Sequence, residues 1–514
     1  MTKHNGNPDI LIIGSGMGGA SMANALSGSG LKVQILERGD YIPRDHRNWD
    51  PEEVFHKGIY RSGERWIDRN GRPFEPNQHY CVGGSTKMYG ACLMRFRPQD
   101  FQAVEHYEGI SPAWPIDYET LEPWYARAEA MLGLRGLAGA DPSEGARSVP
   151  YPHLPIAHDP LIESLKGRWE RSGLHPFPLP SSVQSAPAGG CIRCRTCDGF
   201  PCQIDAKGDA ENRALRPALT DPDITLETNV EVLRLLTTPD GRTIDGVEVR
   251  RNGASEIRRA GIVVLAAGAI NSALLMQNSA NSAHPDGLAN RSGQLGRNYM
   301  AHHLTAMMFV GPRRNPTIYQ KSLSINDYYW GDDEFKWPMG NIQMLGKLQA
   351  GMLTAEVPFV PNFVMTEIAA RSVDMLAMSE DLPDPDNRVF SDKGRVNLIW
   401  QPNNRIPNTR LAKTLARHMR QAGYPVALKK HGGIETTSHQ CGTVKMGTDP
   451  GTSVLDPLCK TWEIDNLYVV DGGFFVSSAA VNPALTIAAQ ALRVGDHIRA
   501  AIGRKQGSGQ FPPG

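Results

Sequence analysis

The sequence predicts an α/β protein in which a Rossmann-like parallel sheet is assembled from separated parts of the chain. A second domain, built on an antiparallel sheet with helices, is inserted between those parts. Short apolar runs typical of buried parallel strands recur near the start, the middle and the end, at 9–13, 261–269 and 465–473. Between the last two runs, residues 300–405 alternate Met, aromatic and polar side chains, which is typical of antiparallel strands.

Length and charge limit the function classes. A chain of 514 residues is too long for one small core, so two or more domains are expected. Lys and Arg (54) balance Asp and Glu (54), which gives no support for a nucleic-acid or membrane-surface partner. No apolar run approaches the roughly 20 residues of a membrane span, and the polar start leaves no room for a signal peptide. The sequence predicts a soluble, cytoplasmic protein.

A complete dinucleotide-binding fingerprint occupies residues 9–37. A strand runs into a glycine turn, followed by a helix over 20–26 and a second strand over 32–36. The glycines of the turn are Gly14, Gly16 and Gly19. The first permits the tight turn, the second lets the backbone approach a pyrophosphate, and the third lets the helix pack on the strand. Glu37 ends the second strand, where a carboxylate can accept from a ribose hydroxyl and disfavours a 2′-phosphate.

The following elements are predicted from turn residues and hydrophobic runs. To about residue 77 the polar sequence has too little periodicity for a prediction. The next features are a glycine-flanked loop at 82–91, a helix over 118–131 and an irregular Pro- and Ser-rich stretch over 133–190. Then follow strands at 224–228, 230–236 and 245–250 with a turn at 239–241, a helix over 272–278, a helix over 483–500 and a disordered tail at 503–514.

These elements predict a discontinuous nucleotide-binding domain. Its segments are 1–110, 191–300 and 431–514, and the segments of the inserted domain, expected to hold the substrate, are 111–190 and 301–430. Small residues at the carboxyl end of the strand at 261–269 would let a ligand lie across the sheet.

Four of the eight cysteines crowd into one short segment. They are Cys191, Cys194, Cys197 and Cys202. In a cytosolic chain such a cluster suggests a metal more than disulfides. However, the spacing has one residue too many for the ferredoxin pattern, and the paired knuckles of the usual zinc sites are absent. The preferred interpretation is a loop of reduced thiols near the bound nucleotide, with a metal or a cluster as the alternative.

The end of the chain distinguishes between nucleotide cofactors. The strand at 465–473 ends in Val470-Asp471-Gly472, and Asn482-Pro483 then precedes a helix. NAD does not need this second helix N-terminus, whereas a buried FAD needs one facing its flavin ring. The sequence therefore predicts FAD.

Several motifs, in the same order along the chain, resemble those of the glucose–methanol–choline (GMC) oxidoreductase family. Besides the fingerprint they are Gly83-Gly84-Ser85-Thr86, Ser111-Pro112-Ala113-Trp114-Pro115, His439-Gln440-Cys441-Gly442-Thr443-x-x-Met446-Gly447 and Asp471-Gly472-x-Phe474-x-x-x-Ser478-x-x-x-Asn482-Pro483. The resemblance covers about residues 9–500. It implies FAD and the oxidation of an alcohol carbon to a carbonyl, with hydride passing to flavin N5 and the hydroxyl proton to a base.

By motif position, His439 and Asn482 are the catalytic pair that the resemblance implies. A neutral imidazole can take a proton near the operating pH, and an amide can hold the same hydroxyl. Pro483 would begin a helix whose N-terminus stabilises negative charge on reduced flavin. The residues implied to contact FAD are Gly14, Gly16, Gly19, Glu37, Gly84, Ser85, Thr86, Val230, Ala267, Gly268, Asp471, Gly472, Asn482 and Pro483. His302 and His303 receive no role.

Two departures from the family pattern narrow the expectation. Members with covalently attached flavin carry a His in the loop after the paired glycines, and the stretch 85–90 has none, which implies non-covalent FAD. Asn482 stands where several members have a second His. Together with the glycine-loop and cysteine motifs, this resembles pyranose oxidases and the bacterial glycoside 3-oxidase branch, which includes enzymes that oxidise C-glycosides.

The predicted function is FAD-dependent oxidation of a secondary hydroxyl of a sugar or glycoside, at C3, with electrons passing to O2. A C-glycoside is one candidate substrate. The alternatives are a dehydrogenase that uses a quinone, protein or artificial acceptor, and a flavin-fold binding protein without chemistry. Rings in the inserted domain would either stack on a sugar or form ordinary core; they are Tyr319, Tyr328, Tyr329, Trp330, Trp337, Phe359, Phe363 and Trp400.

Overall fold

The structure, a computed structural model, describes residues 7–184, 190–357, 359–436 and 438–507. The strands are β1 (Ile10–Ile13), β2 (Val33–Leu36), β3 (Trp66–Asp68), β4 (Pro73–Phe74), β5 (Val104–His106), β6 (Gly109–Ser111), β7 (Phe177–Pro178), β8 (Ile224–Glu227), β9 (Glu231–Thr237), β10 (Ile244–Arg251), β11 (Ala254–Arg258), β12 (Ile262–Leu265), β13 (His303–Val310), β14 (Leu323–Ile325), β15 (Asn341–Met344), β16 (Ser372–Ser379), β17 (Arg388–Asp392), β18 (Arg395–Ile399), β19 (Val426–His431) and β20 (Leu467–Val469). The α-helices are α1 (Met17–Leu26), α2 (Tyr118–Leu132), α3 (Pro160–Arg171), α4 (Arg216–Ala218), α5 (Ala269–Asn278), α6 (Ala350–Glu356), α7 (Asn362–Arg371), α8 (Arg405–Gln421) and α9 (Ala484–Gly507).

A five-stranded parallel sheet, in the order β20-β12-β1-β2-β8, takes its strands from three separated parts of the chain. Its central strand is apolar because both faces of the sheet are covered: Ile10 on one face and Leu11 on the other have no exposed surface. Helices α1 and α9 pack closely, since a Cβ at Gly495 would lie 2.6 Å from the Cβ of Ala25. The predicted discontinuous, Rossmann-like sheet is confirmed, while the domain boundaries stay a prediction.

A six-stranded antiparallel sheet, in the order β19-β13-β16-β15-β14-β7, forms the centre of the inserted part. One face packs on helix α8, where Met307 and Met375 share a hydrophobic cluster with Leu411 and Leu415. Because side chains alternate along a strand, the neighbouring positions point to the opposite face. The antiparallel sheet predicted for 300–405 is therefore confirmed in its main part.

Strands β17 and β18 depart from that prediction. They leave the antiparallel sheet and join β3 and β4, with β18 parallel to β3. The sequence could not indicate this because alternation identifies a strand but not its partner. The hairpin of β9 and β10 is confirmed, and β11 adds a third strand to it.

Several predicted boundaries of secondary-structure elements were wrong. Helix α3 lies inside the stretch expected to be irregular, with Ile162, Leu165 and Trp169 buried on one face. Helices α1 and α5 begin three residues before their predicted starts, directly after a capping glycine. Helix α9 continues to Gly507, past the start of the predicted tail, and the rest of that tail lies outside the described residues. Among the described residues, no helix is both long and apolar enough to cross a membrane.

Candidate active site

The glycine turn between β1 and α1 is tight at two positions and open at one. Gly14 has φ +101°, and a Cβ there would lie 2.4 Å from Ala266 O. A Cβ at Gly19 would lie 2.0 Å from Gly14 O, which keeps the helix against the strand. At Gly16, the N-cap of α1, a Cβ would meet no protein atom within 4 Å, and no side chain caps the helix. The turn therefore has the open, donor-lined form of an anion site.

Glu37 is 6% exposed and its carboxylate is directed back to this turn. Its Oε2 accepts from Ser15 N at 3.0 Å and Ser15 Oγ at 2.6 Å, and its Oε1 accepts from Gly39 N at 2.9 Å. A carboxylate offers about four acceptor positions. The structure thus uses three of them internally, and one remains for a ribose hydroxyl.

The second glycine loop meets the first. Gly84 has φ +56°, and a Cβ there would lie 3.1 Å from Gly16 Cα. Ser85 is exposed. Thr86 is buried, and its Oγ1 accepts from Ala210 N at 3.0 Å. Thr86 therefore holds the loop in shape, and Ser85 is the hydroxyl of this pair that a ligand could reach.

Asp471 ties the carboxyl end of β20 to that of β12. It accepts from Gly268 N at 3.0 Å, from Ser272 Oγ at 2.5 Å and from Gly473 N at 2.9 Å. Burial raises the pKa of Asp471 to about 6. Gly268, the N-cap of α5, has open space at its Cβ position, and no side chain caps this helix. Asp471 therefore binds groups of the protein itself, whereas the space beside Gly268 is open to a ligand.

Two further residues that were predicted to contact FAD already use their backbone N–H groups in hydrogen bonds within the protein. Val230 is buried and its N–H donates to Glu37 O at 2.9 Å. The N–H of Ala267 donates to Ser272 Oγ at 3.3 Å. These residues could therefore contact a cofactor through their carbonyl groups or side chains only.

These residues fit FAD. A Cβ at Gly14 would lie 3.1 Å from Ala267 Cα, and Gly84 lies against Gly16, so the turn, the loop and the end of β12 meet in one place. Two uncapped helix N-termini, the open glycines and the exposed Ser85 are available there. A diphosphate is the kind of group that such N-termini bind.

The motifs near the C-terminus lie side by side. The N–H of Gly442 donates to Gly472 O at 3.1 Å. A Cβ at Gly472 would lie 2.7 Å from Gln440 O, so this contact requires glycine. From the Ser-Pro-Ala-Trp-Pro motif, the Trp114 indole donates to Ser477 Oγ at 2.7 Å. Motifs that are far apart in sequence thus support one another around His439.

His439 is half-buried and lies opposite His302. Met300 and Cys441 exchange both backbone hydrogen bonds at 3.0 Å in antiparallel pairing. Two residues farther along, this register places residue 302 across from residue 439 on the same face. The two Nδ1 atoms lie 2.9 Å apart, and the rings meet edge to face. Sequence reasoning left His302 without a role because the register is not visible in the sequence.

The environment keeps His439 neutral. Burial lowers its pKa well below the ordinary 6.5, and His302 and Lys321 lower it further. A histidine with such a pKa is unprotonated at neutral pH and can accept a proton.

Asn482 is half-buried and comes directly before the buried Pro483 and helix α9. Its Oδ1 accepts from Gln343 Nε2 at 3.2 Å. Within the described residues, the amide nitrogen of Asn482 has no hydrogen-bond partner, and the buried Gln343 Oε1 has none either. The amide nitrogen of Asn482 therefore remains as a donor for a bound molecule.

Gln343 also identifies which face of the antiparallel sheet is directed to the site. In the strand register, Ala306 pairs with Leu376 and Leu376 with Gln343, so these side chains form one row. Leu304, Ala306 and Leu376 are only half-buried, although the opposite face is fully packed on α8. This face of the sheet forms an aliphatic floor that ends at the two amides.

A buried ion pair near His439 was not predicted. Lys321, 4% exposed, pairs with Asp198 of the cysteine segment, and Asp198 also accepts from Gly346 N at 2.5 Å. A Cβ at Gly90 would lie 1.8 Å from Lys321 Nζ. The pair is thus held between the second glycine loop and the antiparallel sheet. Single charged residues in loops gave no sequence signal for it.

The cysteine segment packs on the same glycine loop. Lys207 Nζ donates to Cys197 O at 3.0 Å and to Tyr89 O at 2.7 Å. The four cysteines are free thiols, and burial raises the pKa of Cys197 to about 12. In the part of the chain that the structure describes, no group of three or more His, Cys, Asp or Glu side chains could hold a metal ion.

Of the eight aromatic residues singled out in the inserted part, three are buried in the core. These are Tyr319, Tyr329 and Trp400. Tyr328 lies 2.6 Å from His418 of α8, on the far side of the sheet. Phe359, by contrast, is 96% exposed. No stacking platform for a sugar is therefore evident among the buried rings.

Comparison with known proteins identifies the family. The N-terminal model described as GMC oxidoreductase matches residues 9–304, and the C-terminal model matches residues 386–491. The chain is a GMC oxidoreductase. The resemblance predicted from the motifs is confirmed, and with it FAD as the cofactor and an oxidoreductase activity on CH–OH groups.

Characterised relatives align along almost the whole chain of this GMC oxidoreductase. Paromamine 6'-oxidase of Streptomyces fradiae is 29% identical over 94% of this chain and 90% of its own. 2-Methyl-1,2-propanediol dehydrogenase of Mycolicibacterium austroafricanum is 27% identical over 97% and 96%. Among solved structures, pyridoxine 4-oxidase from Mesorbium loti has a TM-score of 0.67 at 19% identity, covering 96% of this chain and 99% of that one, which shows a shared fold.

Proposed function

We propose that this GMC oxidoreductase is an FAD-dependent oxidase of a secondary hydroxyl of a sugar or glycoside, C3 being the favoured position and a C-glycoside one candidate substrate. The observation that carries the proposal is the Gln343–Asn482 pair, with its open amide, at the end of an aliphatic floor. His439, whose pKa is lowered by burial, supplies the base. A pyranose has a C–H face and a rim of hydroxyls, so aliphatic and amide surfaces in that order suit it.

The roles of the residues follow from their chemistry. His439 accepts the hydroxyl proton as general base, because its pKa lies below neutral pH. Asn482 donates its unpartnered amide to the same oxygen, while Gln343 holds that amide in orientation at 3.2 Å. FAD, when bound, supplies the hydride acceptor. Leu304, Ala306 and Leu376 exclude water from the carbon that is oxidised.

Binding of FAD is assigned to the groups that remain open. The backbone N–H of Gly16, the uncapped N-terminus of α5 beside Gly268 and the hydroxyl of Ser85 would hold it, with Glu37 at the ribose. The stretch 85–90 contains no His, so the cofactor is proposed to be non-covalent. The position C3 and the preference for O2 are supported by motif resemblance. The named relatives do not distinguish between electron acceptors, because they include both an oxidase and a dehydrogenase.

The experiment is anaerobic reduction of the flavin by a panel of sugars, O- and C-glycosides and simple alcohols, followed by admission of air. We expect glycosides to bleach the flavin and a 3-deoxy glycoside to leave it oxidised, whereas the matched 2-deoxy glycoside still reduces it. Rapid reoxidation in air with release of hydrogen peroxide supports the oxidase. Slow reoxidation in air that becomes fast with a quinone would instead identify a dehydrogenase, and a panel without any bleaching would refute the proposal.

A further inference from the structure

We propose that His302 is a positioning residue that fixes the tautomer of His439, so that the Nε2 lone pair of His439 is the one presented to the substrate. The inference rests on the proposed function, because it assumes that His439 is the base. It assigns a role in catalysis to a residue that touches neither substrate nor cofactor in the proposal.

The protonation of His302 follows from its acceptors. Its Nε2 lies 2.9 Å from Ser478 O and 3.0 Å from Ala479 O. Carbonyl oxygens only accept, so Nε2 carries the hydrogen. A neutral imidazole has one N–H, which leaves Nδ1 of His302 with a lone pair.

The protonation of His439 follows in turn. Its Nδ1 lies 2.9 Å from Nδ1 of His302, and one of the two nitrogens must donate. His302 has already used its only hydrogen, so His439 donates from Nδ1. Its Nε2 is therefore unprotonated, and this is the nitrogen that can take a proton. When it does so, the Nδ1–H···Nδ1 bond is retained.

Only a neutral His302 can accept the hydrogen bond from Nδ1 of His439, and the surroundings of His302 keep it neutral. Burial lowers the pKa of His302, and the neighbouring His303 lowers it further. Glu380 and the two carbonyl groups act in the opposite direction and raise it. The positive charge of Lys321 lowers the pKa of His439. Protonation of His302 would place a positive charge on a buried ring. A neutral orienting group also differs from a carboxylate, which would raise the pKa of the base.

The backbone around His302 is built to hold it. Ala479 has φ +52°, in the left-handed region that costs free energy for a residue with a Cβ. Ser478 is fixed by its Oγ, which donates to Asp381 O at 3.0 Å. Such strain persists where surrounding contacts over-determine it, and here it brings two carbonyl groups to one nitrogen.

Three substitutions at one position separate orientation from mere packing. Asn places an amide oxygen near the position of Nδ1, and Gln places an amide nitrogen near that of Nε2. We expect His302→Leu and His302→Gln to lower the limiting rate of flavin reduction about 10–10²-fold, as loss of an orienting partner does for metal-bound imidazoles. His302→Asn should stay within a few-fold of the parent, and substrate Kd should change little in all three. Rescue by Gln instead of Asn would show that His302 is only anchored through Nε2 and would overturn the inference.

A second measurement does not depend on turnover. In holoprotein labelled with ¹⁵N-histidine, the His439 ring is assigned as the signal lost in His439→Ala among the 15 histidines. We expect the Nδ1–H tautomer in the parent and in His302→Asn, and the Nε2–H tautomer or a mixture in His302→Leu. Unchanged tautomers in His302→Leu would refute the inference. If His439→Ala itself reduced flavin at the parental rate, the proposed function would fail instead.

Discussion

Replacement of His439 by Ala tests the assignment of the base most directly. A positioned general base contributes about 10²–10⁴-fold to rate, which corresponds to about 2.7–5.4 kcal/mol of barrier. The effect on folding should be smaller, because the ring is half-buried and its hydrogen bond to His302 contributes about 0.5–1.5 kcal/mol. We therefore expect flavin reduction to slow far more than the free energy of unfolding falls. Stopped-flow reduction and denaturant unfolding of the same preparations measure the two quantities.

The pH profile adds an independent criterion. The pKa of His439 lies well below 6.5 because of burial, so the neutral base persists into mildly acidic solution. The ascending limb of flavin reduction should lie below pH 6.5 and disappear in His439→Ala. The free energy of unfolding should also fall as the pH falls below 6.5, because residue 439 binds a proton more readily in the unfolded chain than in the folded protein. The His439→Ala variant should lose less free energy of unfolding over the same pH range.

A matched control comes from the other side of the same sheet. His418 on α8 also makes one ring hydrogen bond, to Tyr328 at 2.6 Å, but lies on the face away from Gln343. His418→Ala should therefore leave flavin reduction unchanged. If His439→Ala reduces flavin within a few-fold of the parent at every pH, His439 is structural and the reasoning fails.

Three further predictions concern the cofactor and the cysteines. Acid precipitation should release all yellow colour into the supernatant, because 85–90 holds no His for attachment; a yellow pellet would contradict this. Gly16→Val should fold but lose FAD, since a Cβ there meets no protein atom within 4 Å. Gly19→Val should misfold, since its Cβ would lie 2.0 Å from Gly14 O. Circular dichroism and the FAD-to-protein ratio distinguish the two variants, and full FAD occupancy in Gly16→Val would contradict the assignment of the FAD site to this turn. Purified protein should contain no stoichiometric iron and show only flavin bands, because in the described part of the chain the four cysteines do not form a group that could hold a metal ion. Iron and sulfide in cluster ratios would reverse that interpretation.

The parallel sheet was predictable because its strands carry strong local signals. Ile10–Ile13 and Ile262–Leu265 are short apolar runs next to glycine or alanine, and covered faces demand such runs. Helix α3 was missed because a Pro- and Ser-rich stretch surrounds it, and packing of Leu165 and Trp169 on the inserted sheet outweighs that composition.

The candidate site was predictable only in part. Motif positions pointed to His439 and Asn482, and the structure places partners beside both. Those partners, His302 and Gln343, come from segments far away in sequence. Their contacts depend on the bridge between Met300 and Cys441 and on the pairing of Gln343 with Leu376, neither of which a local pattern can encode.

The order of strands in the parallel sheet also constrains synthesis. Strand β12 needs β20 on its outer side, but Leu467 leaves the ribosome only after most of the chain has been made. Until then Val263 and Leu265 form an open hydrophobic sheet edge, which is an aggregation hazard. We expect truncations before residue 467 to be insoluble without a chaperone.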